Sequence, residues 1–162
     1  MYRNTLTTIT AIIALTLNVV VSQVVINEIM YNPPGSQGSD YDYEFMELYN
    51  PGSADIDMSG YSFTQGVTHV FADGTTLPAM GYMIVSIPAD NSQGSLDTNP
   101  FDPDGDGVHT NGAVVVEWTS GGLSNGGEDI TIVDANGIVV DSVDYEDGTN
   151  SFGDWGTAHD GG

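Results

Sequence analysis

The chain has 162 residues, and 40% of them are hydrophobic, which is enough for one domain with its own core. It contains no cysteine, so disulfides and cysteine-based metal sites are excluded. It carries 23 acidic residues against a single basic one, Arg3, and its formal net charge is −22. A surface of this charge repels nucleic-acid phosphates and anionic membranes, so we expect no nucleic acid among its partners.

Residues 1–22 show the pattern of a secretory signal peptide. A short positive segment at residues 1–4 precedes an apolar run at residues 11–21, and small side chains stand just before the predicted cut. The alternative, a membrane anchor, needs about 20 consecutive apolar residues, and this run is shorter. We predict cleavage after Ser22, a secreted or cell-surface location of bacterial type, and no membrane insertion of the cleaved chain.

The next stretch predicts two β-strands, each ended by a proline–glycine turn. Residues 24–30 are rich in β-branched side chains, and residues 43–49 carry apolar side chains on both faces. A strand that is apolar on both faces is typical of the inside of a sandwich. We expect the turns that end both strands to be type II turns, in which Gly35 and Gly52 supply a positive φ.

Short strands continue along the chain at the spacing typical of β-sandwiches. They are predicted at residues 61–65, 69–71, 81–87, 113–118, 129–133 and 138–145. The last two flank residues 134–137, DANG, which predict a hairpin built on a type I turn with a bulge. Trp118 is expected in the core or at the sandwich edge. Asp141 shares a strand face with apolar residues, so we expect it to be hydrogen-bonded inside or displaced by a bulge.

The connection at residues 88–112 is long and poor in apolar side chains, and such loops are usually functional or disordered. Its DPDGDG segment matches the opening of a calcium loop, in which alternate carboxylates converge on one ion. The predicted Ca²⁺ ligands are three side chains and one backbone carbonyl, from Asp102, Asp104, Asp106 and Val108. The position where an EF-hand needs its last acid is Ala113, and Glu117 comes too late unless the loop folds differently. A solvated acidic turn therefore stays open as the alternative.

A second acidic group lies in and after the polar loop at residues 36–43. Its members are Asp40, Asp42, Glu44 and Glu47. Because no basic residue follows Arg3, these carboxylates must be screened by salt or neutralised by metal ions. A metal site is one interpretation, and a solvated acidic loop is the one that the sequence favours.

No part of the chain predicts a catalytic site or an organic cofactor. The histidines His69, His109 and His159 lie in no H-E-x-x-H, and no G-x-S-x-G is present. The glycine-rich segment at residues 121–127 lacks the lysine and the following helix of a phosphate loop. We predict no enzymatic activity, with a metal-dependent hydrolase using His109 beside the aspartate loop as the remaining enzyme alternative. His69 is expected to be a packed or edge histidine.

Several motifs occur in a characteristic order after the predicted signal. They are INEIMYNP, YEFMELYNPG, DMSGYSF, GTTLPAMGYMIV and GLSNGGEDITIVDANGIVVDSVDY, followed by a late tryptophan. In this order they resemble the lamin tail domain family in its bacterial secreted form. The resemblance implies an all-β, immunoglobulin-like antiparallel β-sandwich over residues 23–162 without a catalytic site. In that family a further strand follows such a tryptophan, so it also implies an incomplete fragment or the loss of downstream domains.

Two functions agree with the signal pattern and the resemblance. The first is a non-catalytic secreted module for attachment, localisation or protein–protein contact, whose partner is a protein or a component of the extracellular matrix or cell surface. The second is an accessory domain of a larger secreted nuclease or other hydrolase, whose catalytic part lies beyond Gly162. The open reading frame past that residue distinguishes them.

Overall fold

The computed structural model describes residues 24–91 and 93–145, and the account of the fold concerns these residues. They form ten strands and one short helix: β1 (Val25–Met30), α1 (Asp40–Tyr43), β2 (Phe45–Tyr49), β3 (Ile56–Asp57), β4 (Ser62–Gln65), β5 (His69–Val70), β6 (Thr76–Leu77), β7 (Tyr82–Ser86), β8 (Val114–Glu117), β9 (Glu128–Val133) and β10 (Val139–Tyr145). The predicted signal peptide at residues 1–22, the late tryptophan and the question of a missing last strand lie outside the described residues. The expectation of a plain loop at residues 36–43 is wrong, because its second half forms α1.

Two four-stranded sheets share one core, and the all-β, immunoglobulin-like sandwich is confirmed. Their strand orders are β1-β2-β7-β8 and β10-β9-β4-β5, and β3 pairs with β6 in a separate ribbon. The pairs are antiparallel except for β7 and β8, which run parallel, so the expectation of a wholly antiparallel sandwich is wrong at this pair. Parallel neighbours need a crossover of a dozen or more residues, and the long connection that follows β7 supplies one.

The core is filled by alternate side chains of the central strands. Six of them are completely buried: Met46, Leu48, Met83, Val85, Ile130 and Ile132. Each such side chain contributes roughly 1.5–3 kcal/mol by leaving water. Trp118 is 1% exposed and belongs to the same cluster, which confirms its predicted place in the core. Its indole N–H donates to the carbonyl oxygen of Gly121 at 3.0 Å, so its polar atom is satisfied as well.

The long connection at residues 88–112 covers one end of the outer face of β2 and β7. Phe101 from this connection packs edge-to-face on Phe45 with ring centroids 5.0 Å apart, within a second small cluster around Ile84. Nearby, the amide of the buried Asn99 donates to the side-chain oxygen of Ser86 at 2.8 Å. The connection is therefore anchored to the sheet at two points, and the outer face of β2 is partly buried, whereas its inner face is fully buried.

The turns at the strand ends differ from the sequence-based expectation. Neither Gly35 nor Gly52 is among the glycines with positive φ, so the predicted type II turns are wrong. After β2, the fully buried Asn50 accepts a hydrogen bond from the Gly52 N–H at 2.8 Å and donates to the Ala54 carbonyl at 2.9 Å. An asparagine side chain that bonds its own backbone two residues on replaces the backbone geometry of a type II turn.

The last hairpin and its aspartate agree with the sequence. The Gly137 N–H donates to the Asp134 carbonyl at 2.9 Å, and Gly137 has a φ of 78°, as a type I turn with a bulge requires. The β9–β10 register shifts just before Asp141, and one carboxylate oxygen of Asp141 accepts the Ile26 N–H of β1 at 2.8 Å. Both expectations for Asp141 are confirmed. Because β1 and β10 are edge strands of different sheets, this bond closes one side of the sandwich.

Candidate functional site

The aspartate loop brings the three predicted side-chain ligands together. One carboxylate oxygen from each of Asp102, Asp104 and Asp106 lies within 4.8 Å of the others, with Asp102 half-buried and the other two exposed. Calcium binds oxygen ligands at about 2.3–2.6 Å, so oxygens at this separation can contact one ion. Among residues 24–91 and 93–145, no other group of three or more acidic or histidine side chains has this geometry.

The backbone of the loop wraps around its own carboxylates. The Gly107 N–H donates to Asp102 Oδ2 at 3.0 Å, and the Val108 N–H donates to Asp106 Oδ1 at 2.9 Å. Gly105 and Gly107 both have positive φ, so the sharp turn depends on glycine. Asp102 Oδ1, however, is buried and has no hydrogen-bond partner among the described residues. A buried polar atom without a partner is costly, and a cation would satisfy it.

The other residues that could complete a metal site beside this loop make contacts away from the three aspartates. Ala113 is buried in the small outer cluster, so it offers no ligand at the place of the last acid. Glu117 does not turn back to the loop, because its Oε1 accepts hydrogen bonds from the Asn99 amide at 3.0 Å and the Ala89 N–H at 3.2 Å. His109 is not part of the three-aspartate group and instead lies near the ring of Phe101. The loop therefore supplies only part of the ligand set of an EF-hand.

The second acidic group is divided by the structure into residues with different environments. Asp42 is buried and accepts hydrogen bonds from the backbone N–H groups of Ser95 at 2.7 Å and Leu96 at 3.3 Å. Burial raises the pKa of Asp42, but these bonds and the Ser95 hydroxyl outweigh it, so the net pKa is lowered. Glu47 accepts the Asn27 amide at 2.7 Å on the outer face of the sheet. Asp42 therefore ties the long connection to α1.

Glu44 lies in a pocket that the sequence analysis did not identify. Its side chain is 2% exposed, and its Oε2 accepts the Leu123 N–H at 2.7 Å. Together with Asp40 and Tyr41 it lines a cavity of about 430 Å³ between α1, the start of β2 and residues 122–125. We call this cavity the Glu44 pocket. The pKa of Glu44 is raised to about 7: burial is the largest cause, the Leu123 N–H acts against it, and the negative charges of Asp40 and Glu128 add to it.

The far wall of the Glu44 pocket is fixed by hydrogen bonds to the strands of the other sheet. Glu128 Oε1 accepts the Ser124 N–H at 2.7 Å and the Tyr145 hydroxyl at 3.1 Å. The same hydroxyl is 3.1 Å from the Ser124 carbonyl, and across the pocket the Asn125 amide donates to Asp40 at 2.9 Å. Burial raises the pKa of Tyr145, with Glu128 as the next cause, so the phenol stays protonated. These hydrogen bonds therefore fix the glycine-rich segment in place as one wall of the pocket.

One sequence signal could have identified Glu44. It has the same strand parity as Met46 and Leu48, which point into the core, so a charged residue at this place must end in a buried position. This signal is weak because Glu44 directly follows the acidic segment at residues 36–43 and has the same charge as its neighbours there. The packing of residues 122–125 over it is a long-range contact that no local pattern indicates.

The family model of the Lamin Tail Domain matches residues 20–147 of the 162. The chain belongs to the lamin tail domain family. These domains are non-catalytic and immunoglobulin-like, which agrees with the two-sheet sandwich. A search of curated proteins found no match to the chain. Within the part of this lamin tail domain that the structure describes, no helix is long and apolar enough to cross a membrane.

Proposed function

We propose that this lamin tail domain is a non-catalytic, secreted or cell-surface module of bacterial type. It acts by attachment, localisation or protein–protein contact, and its partner is a protein or a component of the extracellular matrix or cell surface. The observation that supports this is how the buried polar side chains are used: Asp42, Asn50 and Asn99 all bond to loop backbone or neighbouring side chains. These bonds occupy the buried polar atoms in structural contacts, which supports a non-catalytic module.

Cell fractionation of the producing organism tests the location. We expect the protein in the medium or on the cell surface, and mass spectrometry should find Gln23 as its first residue, because the pattern at residues 1–22 predicts cleavage there. Recovery from the cytosol with residues 1–22 intact would overturn the proposal. If the reading frame continues past Gly162 into catalytic motifs, the module is the accessory domain of a secreted nuclease or other hydrolase.

We also propose that the aspartate loop binds Ca²⁺ through Asp102, Asp104, Asp106 and the Val108 carbonyl. Two observations support it: the three carboxylate oxygens lie within 4.8 Å of one another, and Asp102 Oδ1 is buried without a hydrogen-bond partner. An ion that binds only the folded chain would order this loop and stabilise the sandwich. The alternative is a solvated turn, which the bonds from the Gly107 and Val108 N–H groups support.

Thermal unfolding separates them. With a dissociation constant of about 10⁻⁴–10⁻³ M, typical of extracellular calcium modules, 10 mM Ca²⁺ adds about 1.4–2.7 kcal/mol to the free energy of unfolding. The midpoint should then rise by roughly 4–10 °C over the value in EDTA. Magnesium at equal ionic strength serves as control, and Asp104→Ala should abolish the calcium-specific part. An equal rise with both ions would mean charge screening and would leave a solvated turn.

A further inference from the structure

The Glu44 pocket contains a buried carboxylate that is only partly satisfied. Oε2 of Glu44 is bonded to the Leu123 N–H, whereas the described residues give Oε1 no hydrogen bond. The side chain is 2% exposed and lines the cavity of about 430 Å³. Oε1 is not among the enclosed polar atoms that lack a partner, so it is open to the cavity, where a positively charged group can pair with it.

No residue of the cleaved chain can supply that charge permanently. The only lysine or arginine in the sequence is Arg3, which belongs to the predicted signal peptide. Asp40 lines the same cavity, and Glu128 lies near enough to act on Glu44 electrostatically. Low-dielectric walls strengthen the field of such a group of like charges and concentrate cations from solution. A permanent positive charge beside ionised Glu44 would therefore come from another molecule.

The geometry favours an organic cation over a metal ion. Among the described residues, only the aspartate loop has three acidic groups close enough to share one ion, so Asp40, Glu44 and Glu128 do not form such a set. The cavity has room for a side chain, and Tyr41, which is 38% exposed, lines both this cavity and an adjoining one of about 300 Å³. An aromatic ring beside carboxylates is the combination that binds ammonium and guanidinium groups.

We propose that the Glu44 pocket receives a lysine or arginine side chain of a protein partner. This inference deepens the proposed contact function. It rests on that function in one respect, which is that the partner is a protein. A cation in the pocket pairs with ionised Glu44, so its binding releases the proton that Glu44 holds below neutral pH. Among residues 24–91 and 93–145, the other titratable groups around Glu44 are Asp40 and Tyr41 on α1, Glu128 on β9 and Tyr145 on β10. Binding should strengthen about ninefold from pH 6 to pH 8, because the ionised fraction of a group with pKa about 7 rises from roughly one tenth to nine tenths.

Methylguanidinium and n-butylammonium are suitable probes, because they carry the two side-chain cations without a peptide. The amide resonance of Leu123, which reports directly on Glu44, is followed by NMR during the titration, with NaCl at equal ionic strength as reference. We expect saturable shifts in the wild type that are lost in Glu44→Gln, a variant that keeps an acceptor for the Leu123 N–H. Glu47→Gln removes the same charge from the outer face of β2 and should retain binding.

The proposal is overturned if NaCl produces the same shifts, if Glu44→Gln still binds, or if Glu47→Gln loses binding equally. A pentapeptide with a central arginine, compared with its citrulline analogue, extends the test to a protein-like ligand, and equal binding of both would also contradict it. The two proposals fail separately. Saturable binding by a protein found in the cytosol would refute the secreted module and leave the pocket, whereas a surface-located protein without binding would refute the pocket alone.

Discussion

Replacing Glu44 by glutamine should stabilise the protein at high pH and leave it unchanged at low pH. The carboxyl has a pKa near 4.5 in the unfolded chain and about 7 in the fold. Because the folded pKa is raised, the stability linked to the protonated form is complete below pH 4.5 and is lost as the pH rises through 7. At 1.36 kcal/mol per pKa unit the full effect is about 3 kcal/mol, and solvent in the pocket screens it to about 1–2 kcal/mol.

Urea unfolding at several pH values between 4.5 and 8 measures this effect as the difference between wild type and Glu44→Gln. Taking the difference cancels the contributions of the other carboxylates, which both proteins share. We expect the variant to be more stable by about 1–2 kcal/mol at pH 8 and the curves to meet near pH 4.5. Glu47→Gln, which removes a carboxylate from the outer face of the neighbouring strand β2, serves as the matched control. A Glu44→Gln variant that is less stable than the wild type at pH 8 would refute the assignment of Glu44 as a destabilised buried acid.

Three further substitutions test the fold. Trp118→Ala should cost about 3–5 kcal/mol in denaturant unfolding because it empties the core, and Trp118→Phe should cost clearly less; equal costs would contradict the packing. Asp42→Ala should cost about 2–3 kcal/mol at pH 7 by leaving the Ser95 N–H unpaired. Because the folded pKa of Asp42 is lowered, this contribution should shrink as the pH falls below the unfolded-state pKa of 3.8; a cost that grows as the pH falls below that value would count against it. Asp141→Ala should cost about 1–2 kcal/mol and speed hydrogen exchange at the Ile26 amide, whereas Asp141→Asn should retain most protection; an unchanged Ile26 amide in Asp141→Ala would exclude the bond.

The strands were predictable because their signals are local. Alternation placed Met83 and Val85 on one face of β7, and the DANG turn set the last hairpin, so the residues that build them stand next to one another in the sequence. Asp141 was also predictable, since a charge among apolar neighbours needs either a partner or a bulge, and it has both.

The errors arose where distant residues decide the local structure. Asn50 replaces a glycine-based turn because Leu77 and Pro78, far along the chain, present carbonyls to its amide at 3.2 Å and 3.0 Å. The parallel β7–β8 pair depends on how the long connection packs, through Phe101, on the outer face of the sheet. The Glu44 pocket needs residues 122–125 folded over the end of β2. The periodicity of a sequence reports only on residues near one another in the chain, so it does not predict these long-range contacts.

The measurement that tests the central claim most directly is the binding of fluorescently labelled protein to intact cells of the producing organism and to their extracellular matrix. A contact module whose Glu44 pocket binds a basic side chain should bind saturably to one of these surfaces at pH 8. Binding should be lost in Glu44→Gln and retained in Glu47→Gln. Absence of saturable binding to both surfaces would contradict the account of this lamin tail domain as an attachment module.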